Sequence, residues 1–373
     1  MTQTKVEAPF VENNNVRFKN FFINGDFVIA QRTASATAAG DGTYTTLDRM
    51  QTYNNGTSGA YTTAQTSLSA ADQATTGQIF AYDIQCTTAD TSVASGAYAM
   101  VRQRIEAQYL QSLLYGSSAA KTLTLSFYVK SNLTGTTSGC IIKHDSTAQA
   151  FLFEYTINSA NTWEKKTIKI TPPATSGGEV DYNNGTGFSI QWNLQIGSAY
   201  LGGSNVTWDE TNSYYGTTNT LNVLSSTDND LFLTGVQLEI GDAATDFEHL
   251  PRDVQLNRCL RYYYDLASTG EFTDDATYIA MAAAYTSAYV LAFCHFPVPM
   301  RAEPTLTTTN ATDTFTFFRN GAGNGLDDLF ISGASSAVGA MLANSTDVSG
   351  TAGHAGGLYM SASKICNFSS ELP

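Results

Sequence analysis

Two groups of carboxylates stand close enough along the chain to act as pairs: Asp228 with Asp230, and Glu271 with Asp274 and Asp275. Two carboxyls flanking a glycosidic bond can hydrolyse it, one as acid and the other as base or nucleophile. Solvated acidic turns have the same spacing, and no other enzymatic signature accompanies these groups. The histidines His144, His249, His295 and His354 are scattered, and none belongs to an HExxH or similar metal spacing. No GxSxG occurs, and no glycine-rich phosphate loop follows a strand pattern. Asp26, Glu239 and Asp242 are oxygen donors of the kind that hold calcium, but turn and capping roles account for them as well. The expectation is a protein without catalysis, cofactor or metal.

A different chemistry is suggested by the stretch from Ser198 to Ser226, where Tyr200, Trp208, Tyr214 and Tyr215 lie among Gly, Asn, Ser and Thr. Rings set among small hydrogen-bonding residues can grip sugars or partner loops, because they offer area at low entropy cost. The same rings could fold back onto the protein or seal a subunit contact. These four are the candidate ligand-binding residues.

The balance of the chain narrows the partners. Its 373 residues carry 19 basic and 33 acidic side chains, a net charge of −14, which repels phosphate backbones and argues against nucleic acid. Lys165, Lys166 and Lys169 are the densest basic cluster, but interleaved Thr167, Ile168 and Ile170 make them the wet side of a strand. Five widely spaced cysteines, Cys86, Cys140, Cys259, Cys294 and Cys366, suit buried free thiols better than a disulfide framework. No apolar run is long enough to cross a bilayer, and MTQTKVEAPF lacks the apolar core of a secretion signal.

The elements that position these residues are read from alternation. Leu123, Leu125, Phe127 and Val129 form one strand face; Phe151, Phe153, Tyr155 and Ile157 form another; Phe188, Ile190, Trp192, Leu194 and Ile196 form a third, with Ser189, Gln191, Asn193 and Gln195 expected on its wet side. Phe80, Tyr82, Ile84 and Cys86 repeat the pattern, whereas residues 101–114 fit strand and helix equally. Tyr98, Met100, Arg102 and Arg104 share an amphipathic face. In the stretch 230–266, Phe232, Val236, Leu238 and Ile240 fall on one side and Gln237 and Glu239 on the other. Pro251 then opens a short helix, with its fixed φ at the first helical position. Further strands follow over 261–266 and 278–300, where 289–296 is apolar on both faces and calls for cover on both. Two short strands, 313–318 and 328–332, precede a tail rich in Gly, Ala, Ser and Thr. The fold class is all-β: an antiparallel β-sandwich over residues 21–248, a helical linker over 249–264 and a smaller β domain over 265–373, preceded by a polar arm over 1–20.

Three segments carry a resemblance. FFINGDFVIAQR with LDRM, the stretch GVQLEIGDAATDFEHLPRDVQLNRCLRYY, and FPVPMRAEPTLT are together similar, in that order, to motifs of bacteriophage tail-fibre and related virion proteins. The matching positions include Asn24, Gly25, Asp26, Gln31, Arg32, Asp48, Arg49, Gln237, Glu239, Gly241, Phe247, Glu248, Arg261 and Tyr262; Met50 stands where the family usually has tryptophan. The resemblance implies a jelly-roll-like sandwich in a virion appendage, commonly trimeric and attached to other virion proteins through the N-terminal arm. It would be made in the host cytoplasm and would bind host-surface glycan without entering a membrane. A head-fibre or capsid decoration protein is one alternative. A glycan-degrading spike is another, although no long internal repeat of the kind that builds a β-helix is present.

Overall fold

The computed structural model of the chain describes residues 18–38, 40–202, 208–209, 214–266, 276–361 and 364–373. The expected arm lies outside the described residues up to position 17. The chain first lays down β1 (Ser35–Thr37), β2 (Gln51–Asn55), β3 (Ala60–Ser67), α1 (Ala70–Thr76), β4 (Phe80–Thr88), β5 (Tyr98–Glu106), β6 (Leu123–Lys130) and β7 (Gly135–Lys143). It continues with β8 (Gln149–Ile157), β9 (Glu164–Ile170), β10 (Thr186–Ile196), β11 (Leu201–Gly202), β12 (Trp208–Asp209), β13 (Gly216–Thr217) and β14 (Asp230–Ile240). Two six-stranded antiparallel sheets result: a back sheet ordered β1-β3-β4-β14-β6-β9 and a front sheet ordered β12-β8-β7-β10-β5-β2.

Between the sheets lie the apolar residues whose alternation marks the strands. Leu123, Leu125, Phe127 and Val129 come from the back, and Phe151, Phe153, Phe188, Ile190, Trp192 and Leu194 from the front. Each buried side chain contributes roughly 1.5 to 3 kcal/mol before entropy is counted. Trp192 is the hub, meeting Phe22 and Phe127 edge-on at 6.0 and 5.5 Å. The all-β antiparallel sandwich expected from the alternation, jelly-roll-like as the resemblance implies, is the architecture found.

Strand β14 departs from its simple pattern. Its register with β6 shifts between Thr234 and Gln237, and Gly235 takes φ 58°. The extra residue of a bulge reverses which side chains face inward. Leu231 and Leu233 enter the core before it, and Val236 and Leu238 after it. Phe232 therefore lies on the outer side, 6.3 Å from Trp163, and Ile240 is exposed. Gln237 and Glu239, expected to be wet, are buried. Over 101–114, β5 runs to Glu106 and a 3-10 helix takes Ala107–Leu113, so both conformations occur in succession. On β9, Lys165 and Lys169 face solvent, while Lys166 turns to the other side and meets Glu164 at 2.6 Å.

Helix α2 (Arg252–Leu260) follows, with Pro251 at the capping position, one residue earlier than expected. Then come β15 (Tyr263–Asp265), β16 (Ala276–Thr286), β17 (Tyr289–His295), β18 (Thr305–Thr308), β19 (Phe315–Arg319) and β20 (Ala322–Leu326). The remaining strands are β21 (Phe330–Ser336), β22 (Gly339–Asn344), β23 (Ala355–Ser361) and β24 (Cys366–Ser369). They form a three-stranded sheet, β15-β24-β18, and a seven-stranded sheet, β20-β19-β23-β16-β17-β22-β21, around a second core. The small residues of the tail allow close strand approach within this sheet: a Cβ on Gly356 would meet Phe318 O at 2.1 Å. Strand β17, apolar on both sides, is covered on one; Val290, Ala292 and Cys294 are buried and Phe293 is exposed. All five cysteines are free and buried.

Candidate binding face

Residues directly opposite in a sheet share a face. On the side of the front sheet away from the core, one cross-strand row runs Gln51, Arg102, Gln191, Cys140, Leu152. Next to it Arg104 stands opposite Ser189, and on the other flank Tyr53 stands opposite Met100, itself opposite Asn193. Ser189, Gln191, Asn193 and Gln195 were expected to be wet, and Arg102 amphipathic; all five are buried. For Gln191 and Asn193 the cause is the chain after β10, which folds back over this face; a register shift between Asn193 and Gln195 instead turns Gln195 to the core side opposite Ala99, where it bonds Thr57 and Asp90, and turns Ile196, expected inward, to the outer side. Tyr214 and Tyr215 pack on Cys140, Ile142, Ala150 and Leu152, while Tyr53, Tyr200, Leu201 and Tyr215 pack on Tyr98, Met100 and Ile196. Asn193 Nδ2 secures the return by donating to Tyr215 O at 2.8 Å and Ser138 Oγ at 3.1 Å.

Four tyrosines thereby assemble from three parts of the chain. Tyr53 and Tyr98 stack at 5.2 Å, Tyr200 and Tyr215 stack at 4.9 Å, and Tyr98 meets Tyr200 and Tyr215 edge-on at 5.3 and 5.4 Å. The Arg102 guanidinium lies 3.4 Å from the Tyr53 ring centre and donates Nε–H to Gln51 Oε1 at 2.6 Å. Tyr98 donates its hydroxyl to Asp41 at 3.2 Å. Tyr53, Tyr200 and Tyr215 are half-buried, so part of each ring faces solvent.

Burial, followed by the neighbouring Arg104, pushes the Arg102 guanidinium down to about 10, and burial lowers Arg104 too. His144, whose Nε2 is 2.7 Å from Ser189 Oγ, is pushed down to about 3 by burial and then by Arg104, Arg102 and Lys143. Burial raises the Tyr215 hydroxyl to about 12. At neutral pH the Tyr215 hydroxyl and the His144 imidazole are therefore neutral, while Arg102 and Arg104 stay charged. Such a surface can stack on the apolar face of a sugar and hydrogen-bond its rim.

Of the four sequence-predicted ligand residues, Tyr200 and Tyr215 belong to this quartet and Tyr214 packs beside it. Trp208 is elsewhere. It stands opposite Phe151 on the core-facing side, packs on Phe151 and Phe188 at 5.5 and 6.1 Å, and donates Nε1–H to Thr171 O at 2.6 Å. Tyr53, Tyr98, Arg102 and Gln191 were missed as site residues; the alternation of Tyr98 with Arg102 and Arg104 was the available signal.

The fourteen residues of the resemblance lie mainly at the meeting of sandwich, α2 and the second core. Asn24, at φ 60°, donates to Ile29 O and Asp48 O at 2.9 and 3.1 Å. Gly25 O accepts from Val236 N at 2.9 Å, and Asp26 accepts from Gln255 at 3.0 Å. Asp48 receives Gln31 N at 3.0 Å and lies 3.6 Å from Arg32. Arg32 and Arg49 both pair with Glu371, and their guanidiniums lie over Tyr263 and Tyr262 at 3.8 and 3.5 Å. Arg261 and Tyr262 hold Glu106. Glu239 accepts from Gln237 and Thr245, Glu248 N donates to Gln237 Oε1 at 2.8 Å, and the Glu248 carboxylate takes the amides of Lys19 and Asn20. Gly241 N donates to Thr122 O at 3.0 Å, and Phe247 packs on His249 at 5.0 Å. These residues build the junction.

The calcium candidates are held apart in separate contacts: Asp26 with Gln255, Glu239 with Thr245, and Asp242 with Lys169 at 2.9 Å. Among the described residues no cluster of three or more His, Cys, Asp or Glu is arranged to hold a metal ion. Asp230 accepts from Asn132 N at 2.9 Å beside the exposed Asp228. Glu271, Asp274 and Asp275 lie outside the described residues.

No protein-family model matches the chain, and no curated protein matches it. Several solved structures align with it. A family 11 carbohydrate-binding module from Clostridium thermocellum is 12% identical, covering 54% of this chain and 91% of its own, with a TM-score of 0.28. The enzymatically active domain of tailspike protein 4 from bacteriophage CBA120 is 14% identical, covering 60% of this chain and 22% of its own, with a TM-score of 0.27. A tandem of family 22 carbohydrate-binding modules from Paenibacillus barcinonensis is 9% identical, covering 90% and 98%, with a TM-score of 0.26.

Proposed function

We propose that this chain is a structural subunit of a bacteriophage virion, a homotrimeric tail-fibre or baseplate appendage that adheres to host-surface glycan without cleaving it. The observation that carries adhesion is the quartet Tyr53, Tyr98, Tyr200 and Tyr215, in which Tyr98 is buried and the other three rings are part-exposed beside the Arg102 guanidinium. Support for the virion assignment comes from the resemblance segments, whose residues interlock at one junction. In this reading residues 1–20 attach to other virion proteins, 21–248 carry the glycan face, 249–264 link, and 265–373 form the second domain. Individual sites are weak, and three chains on each fibre multiply them through effective concentration.

The test is binding of purified protein to immobilised bacterial surface polysaccharides, comparing wild type with the Tyr200→Ala/Tyr215→Ala double variant. At least a tenfold loss is expected with the fold intact. Equal binding by both proteins would remove the face from the reading. Labelling confined to the particle head, with no polysaccharide held, would favour a decoration subunit.

A further inference from the structure

We propose that the glycan held at this face is acidic, and that Arg102 and Arg104 receive its anionic substituent with the Gln191 amide beside them. This rests on the glycan reading above and narrows its substrate class. The two arginines occupy alternate positions of β5 and so point to the same side of the front sheet. Among the described residues, neither forms an ion pair. The contrast with the junction is direct: Arg32, Arg49 and Arg261 each meet a glutamate. Asp41 is the carboxylate that both guanidiniums feel, and it forms no ion pair with either, so two cations on this face share one distant anion.

The hydrogen bonds of this face are also incomplete. Arg104 Nε is buried without a partner, and its Nη1 reaches Thr186 Oγ1 at a long 3.4 Å. Gln191, directly opposite Arg102 and 0% exposed, has no partner for either amide atom. Buried polar groups are nearly always paired, so Arg104 Nε and Gln191 Nε2 mark a place where acceptors are missing, and Gln191 Oε1 one where a donor such as a sugar hydroxyl is missing. A carboxylate or sulfate supplies acceptor oxygens and relieves the repulsion that Arg104 exerts on Arg102. The adjacent tyrosine rings are placed to stack on the sugar that bears the anion.

The experiment uses matched pairs of polymers on the intact chain: polygalacturonate with its methyl ester, and dextran sulfate with dextran. Titration calorimetry is expected to show at least a tenfold preference for an acidic member over its neutral counterpart. The pair that shows the preference distinguishes carboxylate from sulfate. Arg104→Gln should abolish the preference, and Arg104→Lys should retain part of it. Gln191→Leu should weaken the acidic polymer while leaving the melting temperature unchanged or raised, which separates ligand contact from a structural role. Equal affinity for acidic and neutral members, or a preference that survives Arg104→Gln, overturns the acidic assignment and leaves glycan binding standing. Failure to hold any of the four polymers, together with failure on the surface polysaccharides, sinks both.

Discussion

Arg261 clasps Glu106 with two parallel bonds, Nε to Oε1 at 2.8 Å and Nη2 to Oε2 at 2.9 Å, tying the end of α2 to the end of β5. The Glu106 side chain is wholly buried, and the Tyr262 hydroxyl donates to the same carboxylate. Removing one partner of such a pair strands a charge away from water, at a cost of about 3 to 5 kcal/mol. Arg261→Met is expected to destabilise by about that much in urea unfolding, and Glu106→Gln by less because the amide still accepts and donates. A loss below about 1 kcal/mol for Arg261→Met would mean that the junction is held by its other contacts.

Gly25 is a stricter test of the junction. A Cβ there would meet the carbonyl oxygen of Val236 at 2.0 Å, and the same strand segment bonds back through Val236 N to Gly25 O at 2.9 Å. Backbone cannot retreat as a flexible side chain does, so Gly25→Ala has to part β14 from the turn that covers it. Loss of soluble expression, or destabilisation of at least about 2 kcal/mol, is expected. A variant that melts with wild type would contradict this packing.

His144 sets a pH dependence. Its folded value of about 3 lies below the unfolded value near 6.5, so the unfolded chain takes up the proton first. This contribution to stability is complete above about pH 7. It declines as pH falls through the unfolded value and levels off below the folded one. Wild type should therefore lose melting temperature between pH 7 and pH 4 faster than His144→Asn. Parallel curves for the two proteins would show that the imidazole is not held neutral.

The sandwich was legible because single-face alternation is local: Leu123 to Val129 and Phe188 to Leu194 identify their inward sides unaided, while Ile196 lies beyond a register shift that turns it outward. What escaped depended on partners far away in sequence. Phe232 was misplaced because a bulge at Gly235 reverses the strand, and one glycine among apolar residues does not announce it. Gln191 reads as wet because its cover, Tyr214 and Tyr215, comes from a later segment, and Gln195 because a register shift after Asn193 turns it inward. That segment was visible as an aromatic loop, but Tyr53 and Tyr98 join it only through the order β10-β5-β2. Likewise Arg49 and Glu371 stood out as charges, while their pairing across 322 positions is a property of the folded chain.

The open side of the seven-stranded sheet makes the proposed trimer testable. Phe318 stands opposite Gly357, Gly357 opposite Met281, and Phe293 opposite Met341, so an apolar band crosses five strands. Met281, Phe293 and Phe318 are 62%, 55% and 46% exposed, and Tyr285 beyond them is 71% exposed. Soluble monomers rarely leave so continuous an apolar band in water. Copies of a strongly acidic chain would also repel one another least across a band free of acidic side chains. Sedimentation at micromolar concentration is expected to give three chains per particle for wild type. Met281→Glu with Phe293→Asp should give a folded monomer, because neither side chain belongs to the buried core. A wild type that sediments as a monomer would remove the trimer, and a double variant that still assembles would move its interface elsewhere.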